Sequence, residues 1–459
     1  MKRVTKIIIL KIKLLGMSLP LLLLFSCRAE HVHKPENTKP NIVLFVADDL
    51  GWNDVGYHGS EIKTPNIDKL AKNGVELNQF YVYPTSSPSR ASLLTGKYAS
   101  RFGIGGPIAL NSKQVLPLNV ETIPLILKKS GYETAIMGKW HLGLSLENGP
   151  NHYGFDYTYG YLHGQIDQYT HLYKNGEITW NRNGKFINEE GHATDLITKE
   201  AIKYLKEIHK KENPFFLYIP YSVPHYPLQE EAKWIEPYQN LNDVESRKIF
   251  AASVAHMDFS LGEILRYLEN EKLLENTLII FISDNGAERD WYPNKEKGLN
   301  LYNGKHGPYP KLGDNSPLKG FKTELSEGGI KVPAIIYWKD HLMKNKLEQL
   351  IKVTDIFPTI LSAAQIDGSN LKNLDGESVW KSVIDPAKIT FERELYLRTD
   401  KHSMLRMGDW KIIQLNNSDN TKYELYNILQ DPFEKENLID KYPQIRDELI
   451  AKLKILNTQ

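Results

Sequence analysis

Four short runs of almost unbroken apolar residues recur along the chain, and each stops abruptly at polar or charged residues. NIVLFVADD, from Asn41, ends in Asp48 and Asp49. YETAIMGKWHLG, from Tyr132, runs into Lys139 and His141. PFFLYIPYSVPHYP, from Pro214, reaches His225, and TLIIFISDNG, from Thr277, ends in Asp284, Asn285 and Gly286. Continuous apolar runs of four to eight residues fit strands buried on both faces. Helical patterns lie between them. TPNIDKLAKNG has Thr64 as a cap, Pro65 in the first turn and Gly74 at its end. NVETIPLILKKSG, from Asn119, and residues 193–211 and 250–269 are further helices. This alternation predicts an α/β fold, a large mostly parallel sheet flanked by helices on both faces. Ligands in such sheets bind beyond the carboxyl ends of the strands. All four polar clusters fall at those ends, so one shared site is expected. The catalytic domain is expected over residues 38–370. A smaller α+β subdomain over 371–459 follows, with an antiparallel hairpin around Met407-Gly408-Asp409. A closing helix near Gln444 to Leu456 would bury Ile445, Leu449 and Leu453 along one face.

Composition narrows the function classes. The chain has 459 residues and a formal net charge of +1, and 41% of it is apolar. No basic excess argues for nucleic acid, and no charge block argues for a disordered tail. Most of the 25 tyrosines and 8 tryptophans are expected in packing roles. Residues 1–27, MKRVTKIIILKIKLLGMSLPLLLLFSC, read as a secretory signal peptide. Its end, Leu24-Phe25-Ser26-Cys27, resembles a bacterial lipobox and carries the sole cysteine of the chain. Cys27 is therefore expected to be lipidated and to anchor the protein to a membrane, with residues 28–37 as a tether. The expected location is the bacterial outer membrane or cell surface, or the periplasm.

The clusters define a chemistry. Asp48, Asp49, Asp284 and Asn285 offer only oxygen ligands, which favour Ca²⁺ or Mg²⁺ over zinc. Arg90, Lys139, His141 and His225 are cationic or proton-donating. A hard cation beside a ring of basic groups suits a multi-oxygen anion, and sulfate and phosphate both qualify.

The stretch Thr85 to Gly96, TSSPSRASLLTG, decides between them. From Ser86 it resembles the signature of the sulfatases: Cys or Ser, any residue, Pro-Ser-Arg, three residues, Leu-Thr-Gly. GKWHLG (138–143), SDNG (283–286) and KTELSEGGIKVP (322–333) resemble further blocks of that family in the same order. RMGDWKII and YELYNILQDPFEKENL resemble its small C-terminal subdomain. The resemblance implies that Ser86 is oxidised by a separate maturase to Cα-formylglycine (3-oxoalanine), as in the serine-type bacterial branch. It implies one Ca²⁺ held by Asp48, Asp49, Asp284, Asn285 and an oxygen of residue 86. One hydroxyl of the hydrated aldehyde would attack sulfur, and loss of the other's proton would release sulfate. Arg90 would orient the diol, and Lys139 and Lys322 would take sulfate oxygens. His141 would accept the proton, and His225 would protonate the leaving alcohol. A helix beginning near Ser89 would direct its N–H groups at the anion. One block departs from the pattern. Lys319 and Phe321 stand where the family usually has an arginine and a glycine, so Lys319 is a possible substitute or substrate contact.

Residues 154–171, from Gly154-Phe155-Asp156 to His171, resemble the branch containing arylsulfatase B, the N-acetylgalactosamine 4-sulfatase. The substrate expected from this is a sulfated carbohydrate, cleaved in exo fashion at a galacto-configured sugar during polysaccharide degradation. Algal polysaccharides such as ulvan or carrageenan are the alternative. Trp180, Trp291, Tyr292, His306 and Tyr309 lie in segments expected near the rim. Two other readings are a phosphoester hydrolase of the same superfamily and an inactive glycan-binding surface lipoprotein. The first lacks its usual metal-ligating histidines here. Against the second, every position for metal, sulfate and acid chemistry is filled.

Overall fold

The computed structural model describes residues 39–458 apart from 111, 242, 294–300, 390–392 and 419. The signal peptide, Cys27 and the tether lie outside the described residues. Among the described residues no helix is long and apolar enough to cross a membrane.

The four apolar runs are adjacent central strands of a ten-stranded sheet. Asn41–Ala47 pairs in parallel with Thr277–Ser283 on one side and Phe215–Pro220 on the other, and Phe215–Pro220 pairs in parallel with Glu133–Lys139. Their carboxyl ends therefore share one edge. Beyond them the sheet turns mixed. Ala334–Trp338 runs antiparallel beside Thr277–Ser283, and Trp180–Arg182 runs antiparallel beside Tyr157–Tyr161.

Alternation along Asn41–Ala47 divides the core. Ile42, Leu44 and Val46 pack on one face with the helices Ser86–Thr95, Ile123–Lys129 and Ile356–Ala363. Val43, Phe45 and Ala47 pack on the other with Pro65–Asn73, Ala193–Ile208 and Glu245–Asn270. With every side chain of this strand buried, each Val, Ile or Phe contributes about 1.5–3 kcal/mol of transfer free energy. Two helices differ from the pattern reading. Glu245–Asn270 starts five residues before the apolar period expected from 250, and Ser86–Thr95 starts at Ser86 rather than near Ser89. The second shift places Pro88 inside the first turn, where its missing N–H costs no intrahelical bond.

The C-terminal hairpin belongs to a four-stranded antiparallel sheet, Glu394–Arg398, Ser403–Met407, Trp410–Asn417 and Asn420–Asn427. Both faces of this sheet are covered. Leu395, Leu397, Met404 and Ile413 join the core of the large sheet. Tyr396, Leu405, Ile412 and Leu425 pack under the helix Pro443–Leu456, which buries Leu449 and Leu453 as its i, i+4 face requires.

Candidate active site

Ser86 opens a ten-residue helix whose side chains are all buried, and no side chain caps its N-terminus at Thr85. Its free N–H groups and the positive end of its dipole face the shared strand edge. Ser86 Oγ lies 3.1 Å from Asp48 Oδ1, 3.3 Å from Asn285 Oδ1 and 3.3 Å from Lys139 Nζ. The residues expected from three separate strand ends thus converge on one hydroxyl.

The carboxylates and cations interlock. Lys139 Nζ donates to both oxygens of Asp48, at 2.8 and 2.7 Å. Arg90 donates from Nε and Nη2 to Asp284 Oδ2, at 3.0 and 2.7 Å. Lys322 Nζ donates to Asp49 Oδ2 at 2.7 Å. Three cations balance three carboxylates in a region from which water is nearly excluded. Burial pushes Asp48 up to about 7, with Lys139 opposing and Asp284 and Asp49 adding repulsion. Burial also acts on Asp49, but Lys322 and His225 outweigh it and hold Asp49 down at about 2. Burial pulls Lys139 below the usual lysine range, against the pull of Asp48.

These residues fit a hard dication. Asp48, Asp49 and Asp284 each bring an oxygen within 4.8 Å of the others. Asn285 Nδ2 is engaged by Asp49 Oδ1 at 2.7 Å, which turns Asn285 Oδ1 toward Ser86 as a fourth oxygen. Burial, with added repulsion from Asp284 and Asp49, drives one carboxylate of this all-oxygen set up to about 7, an arrangement that Ca²⁺ or Mg²⁺ would suit.

The two histidines are presented differently. His141 Nε2 donates to the Ile108 carbonyl at 3.3 Å, so Nδ1 carries the lone pair, buried and with no partner among the described residues. Burial, then Lys139 and Arg90, depress its basicity well below the usual imidazole range, so the ring is neutral and free to accept. His141 holds a left-handed φ of 57°, secured by its N–H on Leu162 O and by Ser87 Oγ on its carbonyl. A Cβ at Gly164 would lie 2.6 Å from His141 Nε2, so only glycine fits against the ring. His225 Nδ1 donates to the Tyr226 carbonyl at 2.6 Å, leaving Nε2 facing Asp49 Oδ2 at 3.7 Å. Burial and then Lys322 depress it as well.

All ten residues expected at the site meet there. Lys319 does not: its Nζ donates to Tyr426 OH at 2.8 Å on the C-terminal sheet, and Lys322 occupies the site instead. Trp291 and His306 sit beside the site, in an aromatic group around Tyr226. Trp180, grouped with the rim on sequence, is a buried packing residue stacked on His171 at 4.6 Å. Sequence reasoning missed Ser87 and Glu288. Ser87 ties His141 to Ile108 through its hydroxyl. Glu288 places Oε2 3.4 Å from Lys322 Nζ. The available signal for each was its place, next to Ser86 in one case and two residues past the SDNG block in the other.

A parallel-sheet edge that gathers oxygen ligands, an arginine, two lysines and two histidines around a helix N-terminus defines a hydrolase for esters of tetrahedral oxyanions. Comparison with known proteins narrows the class. Residues 40–366 match the sulfatase family, and residues 321–459 match a family described as N-sulphoglucosamine sulphohydrolase, C-terminal. The chain belongs to the sulfatase family and is a sulfuric ester hydrolase. It is 29% identical to arylsulfatase J of Mus musculus over 94% of this chain and 79% of that protein. It is 32% identical to N-acetylgalactosamine-6-sulfatase of Mus musculus over 73% of this chain and 65% of that protein. The solved structure of Ps i-CgsB in complex with k-i-k-neocarrahexaose superposes with a TM-score of 0.80 and 30% identity, over 91% of this chain and 93% of the other.

Proposed function

We propose that this enzyme removes sulfate from sugars of a polysaccharide, acting in exo fashion on a galacto-configured unit. The observation that carries the chemistry is the position of Ser86 Oγ, within 3.3 Å of Asp48, Asn285 and Lys139. The name of the mouse N-acetylgalactosamine-6-sulfatase supports the sugar. The neocarrahexaose complex of the structural neighbour favours a second reading, a carrageenan-type algal polysaccharide.

Conversion of Ser86 to formylglycine by a serine-type maturase would supply, as its hydrate, a stronger nucleophile than a serine hydroxyl. Calcium held by Asp48, Asp49, Asp284 and Asn285 would polarise the ester and the oxygen at position 86. The chain's own groups do the rest. Arg90 fixes Asp284, and Lys139 fixes Asp48, so the carboxylates cannot turn away from residue 86. Lys139 and Lys322 bind sulfate oxygens and stabilise charge that grows in the transition state. His141 Nδ1 takes a proton from the oxygen at position 86. His225 Nε2 gives a proton to the bridging ester oxygen as its bond to sulfur breaks, so that the sugar departs as an alcohol. An anionic ester within reach of His225 favours the imidazolium that this step requires.

The test is expression with and without a serine-type maturase, followed by peptide mass spectrometry of residue 86. Sulfate release is then measured on 4- and 6-sulfated N-acetylgalactosamine oligosaccharides beside carrageenan oligosaccharides. Fully active enzyme that retains an unmodified Ser86 would overturn the nucleophile. Release from nitrophenyl sulfate but from no sugar would overturn the carbohydrate reading.

A further inference from the structure

Among the described residues, Glu288 is the one acidic side chain in ion-pair contact with the sulfate-gripping lysine that the chemistry above does not use. Its Oε2 lies 3.4 Å from Lys322 Nζ, and the side chain keeps 21% of its surface open to solvent, against 2% for Asp49 on the inner side of the same lysine. Lys322 is thus held between an inner carboxylate and an outer one, with Glu288 toward the mouth. The backbone around Glu288 is pinned on both sides. Its carbonyl accepts from Gly313 N at 3.0 Å, Ala287 N donates to Asn315 Oδ1 at 2.9 Å, and Ala287 O accepts from Lys322 N at 2.9 Å. Arg289, the next residue, turns to Glu324 and to the face of Phe321, so it does not neutralise Glu288. Tyr226 walls the same side. Its ring stacks on Trp291 at 4.5 Å and lies 4.3 Å from the His225 ring.

A sulfate bound by Lys322 with its leaving oxygen at His225 would bring a neighbouring oxygen of the sugar, such as O6 beside a 4-sulfate, to this mouth. A fixed carboxylate there accepts a hydrogen bond from a hydroxyl and repels an anion. We infer that Glu288 is a specificity-determining residue: it accepts a hydrogen bond from a free hydroxyl next to the scissile sulfate ester and excludes substrates with a second sulfate at that position. The inference rests on the carbohydrate reading above. It adds a substrate class, sugars whose sulfate ester has an unsubstituted neighbour, and an order of events, since a second sulfate must be removed by another sulfatase first.

The experiment compares kcat/KM for a monosulfated N-acetylgalactosamine oligosaccharide with that for its 4,6-disulfated counterpart. Wild type and Glu288→Gln are measured, each at low and high sodium chloride. Glutamine keeps the shape and the accepting oxygen and removes the charge, so any general effect on Lys322 cancels in the ratio. Wild type is expected to prefer the monosulfated sugar, and Glu288→Gln to shrink that preference by about tenfold or more. Salt should narrow the ratio for wild type and leave it nearly unchanged for the variant. A ratio that is the same in both proteins overturns the inference while leaving the sulfatase reading intact. So does wild-type turnover of the disulfated sugar equal to that of the monosulfated one. Wild-type failure on every sugar, with nitrophenyl sulfate still cleaved, would instead overturn the carbohydrate reading on which this one rests.

Discussion

Replacing Lys411 with methionine tests how the C-terminal sheet supports the active site. Lys411 is fully buried, with Nζ 2.9 Å from Glu327 Oε1 and 2.8 Å from Glu434 Oε1. Glu327 also accepts from Tyr81 OH at 2.8 Å, and its N–H donates to Glu434 Oε2 at 2.7 Å. Glu327 opens the short helix Glu327–Ile330, from which Gly329 O holds Gly286 N at 3.0 Å, next to Asn285. Lys322 lies five residues upstream on the same segment. The substitution leaves two carboxylates buried without the lysine that joins them, which costs about 3–5 kcal/mol. Unfolding entropy is about 2.1 cal/mol/K per residue, or roughly 0.9 kcal/mol/K over a folded unit that starts at Lys39. Lys411→Met should therefore lower Tm by about 3–6 °C in a thermal melt, and sulfate release should fall because the Lys322 segment loses its anchor. Adding Glu327→Gln and Glu434→Gln removes the uncompensated charge while keeping acceptors for Tyr81 and for the backbone. The triple variant should recover at least half of the lost Tm. A single variant that melts within 1 °C of wild type would refute the reasoning, since the carboxylates would then be neutral without the lysine.

Four further outcomes follow from the site and its surroundings. Asp284→Ala should lose the bound ion, measured by elemental analysis, and reduce turnover by about a thousandfold or more; it also strands Arg90, whose Nε and Nη2 both bond Asp284 Oδ2. His225→Ala should harm sugar sulfates, which have poor leaving groups, more than nitrophenyl sulfate, and equal losses on both would make His225 a sulfate ligand rather than an acid. His256, clamped by Glu230 at 2.9 Å and Asp195 at 3.2 Å beside His192, is pushed up to about 9 despite its burial. A raised folded pKa means this stabilisation, at most about 3 kcal/mol, is complete below the unfolded value near 6.5 and is lost as pH rises through about 9. Tm should accordingly fall from pH 7 to 10 more steeply in wild type than in His256→Gln, and parallel slopes would contradict the clamp. Cys27→Ser should move the protein from the membrane fraction to the soluble one; continued sedimentation with membranes would remove the lipobox as the anchor.

The central strands were legible because strands buried on both faces are written as unbroken apolar runs, and because the polar residues that end them cannot continue inside the sheet. That logic placed Asp48, Asp49, Lys139, His141, His225, Asp284 and Asn285 on one edge before any distance was known. It did not give strand order. The antiparallel neighbour Ala334–Trp338 looks like another buried strand, and nothing local marks its direction. Helix starts were also hard to read. The apolar period of Glu245–Asn270 begins only at Phe250, while its first turn is polar and no side chain caps it at Val244. The least legible parts were charges that meet across long separations. Lys411, Glu327 and Glu434 are ordinary surface residues by composition, yet the fold buries all three together. Glu288 looks like any loop carboxylate until its distance to Lys322 is known.

The balance of charge at the site explains why its parts are not separable. Arg90, Lys139 and Lys322 are each committed to a carboxylate, so the side chains alone offer a sulfate ester no surplus positive charge. A dication held by Asp48, Asp49 and Asp284 would change this in two ways. It would add positive charge, and by sharing the oxygens that now hold Lys139 and Lys322 it would leave both ammonium groups freer for the ester. Metal and substrate binding would then be linked, each favouring the other by the same factor. Glu288 lies outside that exchange. It is the carboxylate Lys322 would keep if Asp49 turned to a metal, and it would hold the lysine near the mouth, on the side open to solvent.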